Sequence, residues 1–236
     1  MSSMYTFKGS RLGASGGSSV EASANSMVNF SEGKTNWMDS LSSELQMSIG
    51  ACHTLSLLDH KGRKELLGNQ VELKMFEASG YEMASSSTFT SSNPKHHVKQ
   101  IEVVRRMAFS QDSQTSGVVV RLPSDKQQVL VKGSFEKMAG LSVGGLSGSL
   151  HELVAELSKD QFYIITIGTK QIGGKIDVHK LPREELESDL ELVGLLLFRN
   201  DLKEDSAKAI FDLKQGATRV VMITGDSVEA GLKKIF

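Results

Sequence analysis

Three strand-like runs, at 100–107, 118–122 and 129–132, follow one another closely, and the last two are joined through Pro123-Ser124-Asp125-Lys126-Gln127. That stretch is rich in turn formers. It is also too short to carry the chain to a parallel neighbour, which takes a dozen or more residues, so it predicts a hairpin. An antiparallel sheet therefore stands at the centre of the chain, joined by a further buried-looking strand at 162–167. Helical patterns flank it. Leu41, Leu45, Ile49 and Leu55 recur at near-helical spacing. Asn69-Gln70-Val71-Glu72 has the form of a capping box, opening a helix with Val71, Met75 and Ala78 on one side and Gly80 as its stop. Leu150, Leu153, Val154 and Leu157 fall at i, i+3, i+4 and i+7, with Glu152 closing a second box on Ser149. Residues 59–62 read as a turn and 84–97 as a Ser/Thr-rich loop.

After Pro182 the pattern changes. A charged helix at 183–189 leads to an apolar strand at 192–198, then a helix at 204–215 that should bury Ala207, Ile210 and Phe211, then a strand at 219–223. Strand, helix and strand in that order predict a right-handed parallel βαβ unit. The expected fold class is thus α/β overall: an α+β domain with an antiparallel sheet and flanking helices, followed by a Rossmann-like βαβ segment. Three regions are expected: a flexible Ser/Gly-rich leader at 1–35, the α+β domain at 36–185, and the βαβ segment at 186–236.

Composition removes several functions. With 27 basic and 28 acidic residues the net charge is −1, which argues against bulk binding of nucleic acid or an anionic membrane. Cys52 stands alone, so disulfide frameworks and cysteine metal sites are excluded, and it reads as a small buried hydrophobe. No apolar run reaches the roughly 18–20 residues needed to span a bilayer, and the N-terminus has no signal-peptide core. The chain is expected to be soluble and cytosolic.

A few residues have the chemistry for a ligand. Phe109 follows a strand and offers either an aromatic face for stacking a base or a core side chain at a strand end. Lys132 ends an apolar strand before Gly133, where backbone can approach a ligand; it reads as a phosphate or adenine contact, or as a snorkelling surface lysine. Glu72 has a capping task available already. Thr224-Gly225-Asp226 follows the strand at 219–223, where open α/β sheets place ligands, though Asp226 or Ser227 can equally cap a helix. His96-His97 lacks partner ligands and reads as a solvated loop, and Arg105-Arg106 reads as a strand-edge device.

Phe109-Ser110, Lys132-Gly133-Ser134-Phe135-Glu136 and Met222-Ile223-Thr224-Gly225-Asp226, in that order, resemble the cytosolic headpiece of P-type ATPases. ACHTLSLLD, LLGNQVELKMFEASGY, VVRRMAFS and ELVGLLLFRNDLKEDSAKAI narrow the resemblance to the type V subclass, the cation- and polyamine-transporting pumps. It covers residues 36–236. The resemblance implies that 36–185 is a nucleotide-binding domain and 186–236 part of a phosphorylation domain of haloacid-dehalogenase type. Phe109 would stack adenine, Lys132 and Gly133 would line the nucleotide site, and Glu72 would sit near the adenine amino group. Thr224, Gly225 and Asp226 would form a phosphoryl-site loop, and Lys203 would lie at the interdomain hinge. The implied cofactors are ATP and Mg²⁺, and the implied partners are the membrane and actuator parts of a pump, on the cytosolic face of a membrane.

Departures from the family pattern are specific. Phe135 replaces a proline, Gln114 or Thr115 stands where relatives carry a basic residue, and Tyr163 stands where many carry arginine. They imply either weaker ATP binding or relaxed constraint. The sequence contains neither DKTGT, which would supply the nucleophilic Asp, nor GDGxND. The chain alone is therefore expected to bind nucleotide at most, without a complete catalytic or metal site. The competing expectations are an interaction or regulatory module that has lost nucleotide binding, and a free-standing haloacid-dehalogenase-type phosphatase.

Overall fold

The computed structural model describes residues 2–6, 27–30, 41–60, 63–146, 148–159, 162–173, 176–198, 205–221 and 223. In chain order these form strands β1 (Ser2–Thr6) and β2 (Met27–Phe30), helix α1 (Ser43–Ala51), the hairpin β3 (Ser56–His60) and β4 (Arg63–Leu67), and helix α2 (Gln70–Ser79). Strands β5 (Glu82–Met83), β6 (Thr88–Thr90), β7 (Gln100–Met107), β8 (Thr115–Arg121) and β9 (Gln127–Gly133) follow. Then come helices α3 (Phe135–Leu141) and α4 (Gly148–Lys159), β10 (Tyr163–Ile172), α5 (Arg183–Leu186), β11 (Glu191–Phe198) and α6 (Ser206–Gln215).

The predicted antiparallel sheet is present and larger than expected. Nine strands lie in the order β2-β1-β11-β10-β9-β8-β7-β6-β5, and every pairing is antiparallel. Two pieces of the expected leader, β1 and β2, are strands of this sheet, so an unstructured leader does not extend over them.

Helices cover both faces. Along β8, even positions face α1 and α2: Val118 and Val120 pack with Met47, Phe76, Phe89 and Leu130. Odd positions face the other way: Val119 packs with Val129, Val131, Met138 and Leu186. This alternation follows from the period of two in a pleated strand.

The helix ends obey local rules. Ser42 caps α1 by accepting from Leu45 N at 3.3 Å. Asn69 caps α2 by accepting from Val71 N at 2.8 Å, and Gly80 ends that helix in the left-handed region at φ 66, as expected. The reciprocal half of the expected capping box is occupied elsewhere, since Glu72 reaches out of its helix to Thr54. Ser149 lies inside α4 rather than ahead of it. The 84–97 loop contains a short strand, β6, whose Phe89 is fully buried.

The expected parallel βαβ unit is not what forms among the described residues. β11 pairs antiparallel with β10 on one side and β1 on the other, so it completes the first sheet instead of opening a second. Parallel strands are ordinarily buried on both faces. Here an antiparallel strand meets the same condition: Leu196 packs under α1, while Leu195 and Leu197 pack under α4. Helix α6 has no buried residue, and Ile210, Phe211 and Leu213 are exposed, contrary to the burial expected for Ile210 and Phe211. Residues 219–221 and 223 carry no ladder, and Val221 and Ile223 are exposed. β-propensity alone does not make a strand without a neighbour to bond.

Candidate functional site

β7, β8 and β9 end together on one side of the molecule. Register pairs Met107 with Gly117, Ser116 with Lys132, and Thr115 with Gly133, so the segment after β7 rises beside the end of β9. This brings the motif residues Phe109, Lys132 and Gly133 to one end of three adjacent strands. Phe109 is 61% exposed, so the core alternative does not hold for it.

Lys132 faces α2, and its Nζ donates to Glu72 Oε1 at 2.6 Å. Both side chains are nearly closed to solvent, at 9% and 12% exposure. The other carboxylate oxygen, Oε2, accepts from Thr54 N at 2.9 Å and from Thr54 Oγ1 at 2.7 Å. Neither the capping nor the snorkelling alternative describes these residues: they form a closed ion pair that ties α2 to β9 and to the turn after α1. Burial pushes the Glu72 carboxyl up, but the charge and hydrogen bond of Lys132, with the bonds from Thr54, outweigh it and hold the carboxyl below its ordinary 4.5. Thr54 was not singled out in the sequence, because its role depends on a contact 18 residues away.

Gly133 acts by close approach. A Cβ there would meet Gln114 O and Thr115 Cγ2 at 3.0 Å each, so the missing side chain lets the Phe109 turn close onto β9. Gln114 itself adopts φ 52. Phe135 takes the first position of α3 behind the cap Ser134, a position suited to proline, and uses its bulk to pack against Leu150 and, edge-on at 5.1 Å, against His151.

A cavity of 240 Å³ is lined by Thr54, which bonds Glu72, with the rest of residues 52–56, residues 106–108 and 116–118, and Ser86. Its wall carries two perturbed groups. Burial pushes the Cys52 thiol up to about 11, which leaves it protonated and unreactive at neutral pH. Burial, then the nearby Arg106 charge, lowers the His53 imidazole to about 4. Arg106 donates to His53 O at 2.7 Å and Ser86 O at 2.8 Å, while Arg105 donates to Leu181 O at 2.7 Å. These arginines therefore satisfy loop carbonyls from an interior strand and do not guard an edge. His96 is buried against Tyr81 at 4.7 Å, whereas His97 is exposed, so the pair does not form the solvated loop that was expected.

The pH response follows from these shifts. Because the folded His53 value lies below 6.5, the unfolded chain takes up the proton first, and stability falls as pH drops from about 6.5 toward 4. Glu72 acts lower: its stabilisation is present above 4.5 and is lost as pH falls through its depressed folded value. Urea midpoints measured between pH 7.5 and 4.5 should decline, and His53→Asn should flatten that decline. An unchanged slope in the variant would remove His53 from the account.

Lys203, Thr224, Gly225 and Asp226 lie outside the described residues. Among the described residues no group of three or more His, Cys, Asp or Glu side chains could hold a metal ion, and no helix is long and apolar enough to cross a membrane. Tyr163 is exposed at the start of β10.

No family model matches the chain. Curated relatives do match. The chain is 28% identical over 204 residues to mouse (Mus musculus) "Probable cation-transporting ATPase 13A5", covering 78% of this chain and 16% of that protein. It is 26% identical over 221 residues to human (Homo sapiens) "Polyamine-transporting ATPase 13A3", covering 79% and 18%. It is 27% identical over 195 residues to the Schizosaccharomyces pombe "Endoplasmic reticulum transmembrane helix translocase", covering 79% and 16%. The chain thus spans less than a fifth of the length of these relatives.

Proposed function

We propose that this chain, which belongs with the type V P-type ATPases, binds ATP at the Phe109 end of its sheet. The observation that carries the reading is the pairing of an exposed aromatic face, Phe109, with a buried Lys132–Glu72 ion pair at the ends of neighbouring strands. An adenine ring stacked on Phe109 replaces water on an apolar surface. The adjoining cavity has room for part of a ligand rather than a whole nucleotide, being smaller than the roughly 300–1,000 Å³ of drug-sized sites. Because the Lys132 ammonium is already committed to Glu72, its part is to shape and charge the wall beside the base rather than to reach along the phosphates.

In the whole protein, ATP held here would be hydrolysed through an aspartyl-phosphate to drive transport of a cation or polyamine, with the domain on the cytosolic face of the membrane. Mg²⁺ would supply neutralisation of phosphate charge. The described residues offer it no ligand cluster, so groups other than these would hold it. The Thr224-Gly225-Asp226 loop is the family's phosphoryl-site element in this sequence, and Lys203 its hinge lysine. A regulatory module without nucleotide binding is the second reading, favoured by uncharged Gln114 and Tyr163 where relatives carry cations.

Calorimetric titration of ATP separates the two readings. Phe109→Ala should weaken binding roughly tenfold or more, the scale of one base–aromatic stack. Thermal stability should be nearly unchanged, because the ring is exposed. Equal affinities for the parent chain and the variant would contradict the proposal.

A further inference from the structure

We propose that Arg183 is a positioning residue that holds the Phe109 turn ready for a base, working from the face of the sheet opposite the nucleotide. Its Nη1 donates to Ala108 O at 2.8 Å, and its Nη2 donates to Thr115 O at 2.8 Å and to Thr115 Oγ1 at 3.2 Å. Ala108 and Thr115 are the residues that bracket the turn at 109–114. One planar guanidinium therefore fixes both ends of that turn, a geometry that a single ammonium does not reproduce.

Glu187, four residues further on, aims the clamp. Its Oε1 lies 2.9 Å from Arg183 Nη2, and its Oε2 accepts from Thr115 Oγ1 at 2.9 Å. Glu187 is 4% exposed, so this is a buried arrangement rather than a surface pair. The strand alternation places it on the far face. Ser116 and Lys132 point toward α2, whereas Thr115 points with Val119 toward the α3 and α5 side.

The segment that carries Arg183 is itself tied down. Lys170 Nζ donates to Ser188 O at 3.0 Å, and Arg105 Nη1 donates to Leu181 O at 2.7 Å. Inside the turn, Gln114 N donates to Ser110 O at 2.9 Å, and Ser113 N donates to Ser110 Oγ at 3.1 Å. With both ends clamped, Phe109 is presented in one orientation, so the cost of ordering it is met before a ligand arrives.

This inference rests on the nucleotide reading for its benefit, but the ordering of the turn is measurable without nucleotide. In a ¹⁵N-labelled chain, heteronuclear NOEs of amides 109–114 should match those of β8. Arg183→Lys keeps the charge beside Glu187 but cannot span both carbonyls; it should lower those NOEs and weaken ATP binding roughly tenfold. Arg121→Gln is the control, since Arg121 pairs with Glu102 and Asp125 at the opposite end of β8 and touches neither the turn nor the Arg183 segment, and it should leave both readouts at parent values. Unchanged NOEs in Arg183→Lys, or equal losses in Arg121→Gln, would overturn the proposal. If the parent chain fails to bind ATP, the proposed function falls, and the NOE comparison still decides the clamp.

Discussion

Replacing Lys132 with alanine is expected to destabilise the chain by about 3 kcal/mol, the low end for breaking a buried ion pair. The loss is large because Glu72 would stay buried as a carboxylate with one oxygen bare. It stays at the low end because Thr54 retains its two bonds to the other oxygen. Nucleotide affinity should fall as well, since α2 and the turn after α1 lose their tie to β9. Stability and binding can be separated. Lys132→Met combined with Glu72→Gln removes both charges at similar volume and should recover more than half of the lost stability while leaving ATP binding impaired. Urea denaturation of the single and double variants, at constant m, reads the coupling directly. A double variant no more stable than Lys132→Ala would show that the loss does not come from a stranded Glu72 carboxylate.

Phe89→Ala should cost about 4 kcal/mol, the range found for emptying a buried phenylalanine site. Phe89 is fully buried on a strand of three residues, and its ring meets His53 edge-on at 5.1 Å and Phe76 at 5.9 Å. His53 in turn lines the cavity next to Thr54. Emptying the Phe89 site therefore loosens the wall as well as the core. Phe89→Leu refills most of the volume and should cost only about 1 kcal/mol. If the alanine variant is no less stable than the leucine variant, the packing account of this face is wrong.

What the sequence made legible depended on whether a residue's partner was local. The hairpin between β8 and β9 followed from five turn residues, and the end of α2 followed from Gly80. Glu72 departs from the expectation in one respect: the capping box is a rule of spacing along one helix, whereas the carboxylate bonds to Thr54 and Lys132, 18 and 60 residues away. The run at 192–198 is a strand, as its apolar residues predict, but it is antiparallel where the strand, helix, strand order predicts a parallel one. Burial on two faces is a property of position in the sheet, and both strand orientations can reach it. Helix α6 shows the converse: Ile210 and Phe211 have the spacing of a buried stripe, but spacing does not supply the surface to be buried against. Arg183 and Glu187 have the i, i+4 spacing of a local ion pair, but the hold on the turn carried no signal, since it uses backbone carbonyls 68 and 75 residues away and any residue type can provide those. Phe135, a departure from the family pattern, has a packing role that the motif alone does not reveal, since it lies against Leu150 of α4.

The central claim is that the Phe109 end of the sheet receives the base of ATP. A ¹⁵N–¹H correlation titration of the chain with ATP tests it most directly. Saturable shifts should centre on the amides of Thr54, Glu72, Phe109, Lys132 and Gly133, with little change along α4. No saturable shift at millimolar ATP, or shifts centred on another part of the chain, would contradict the claim.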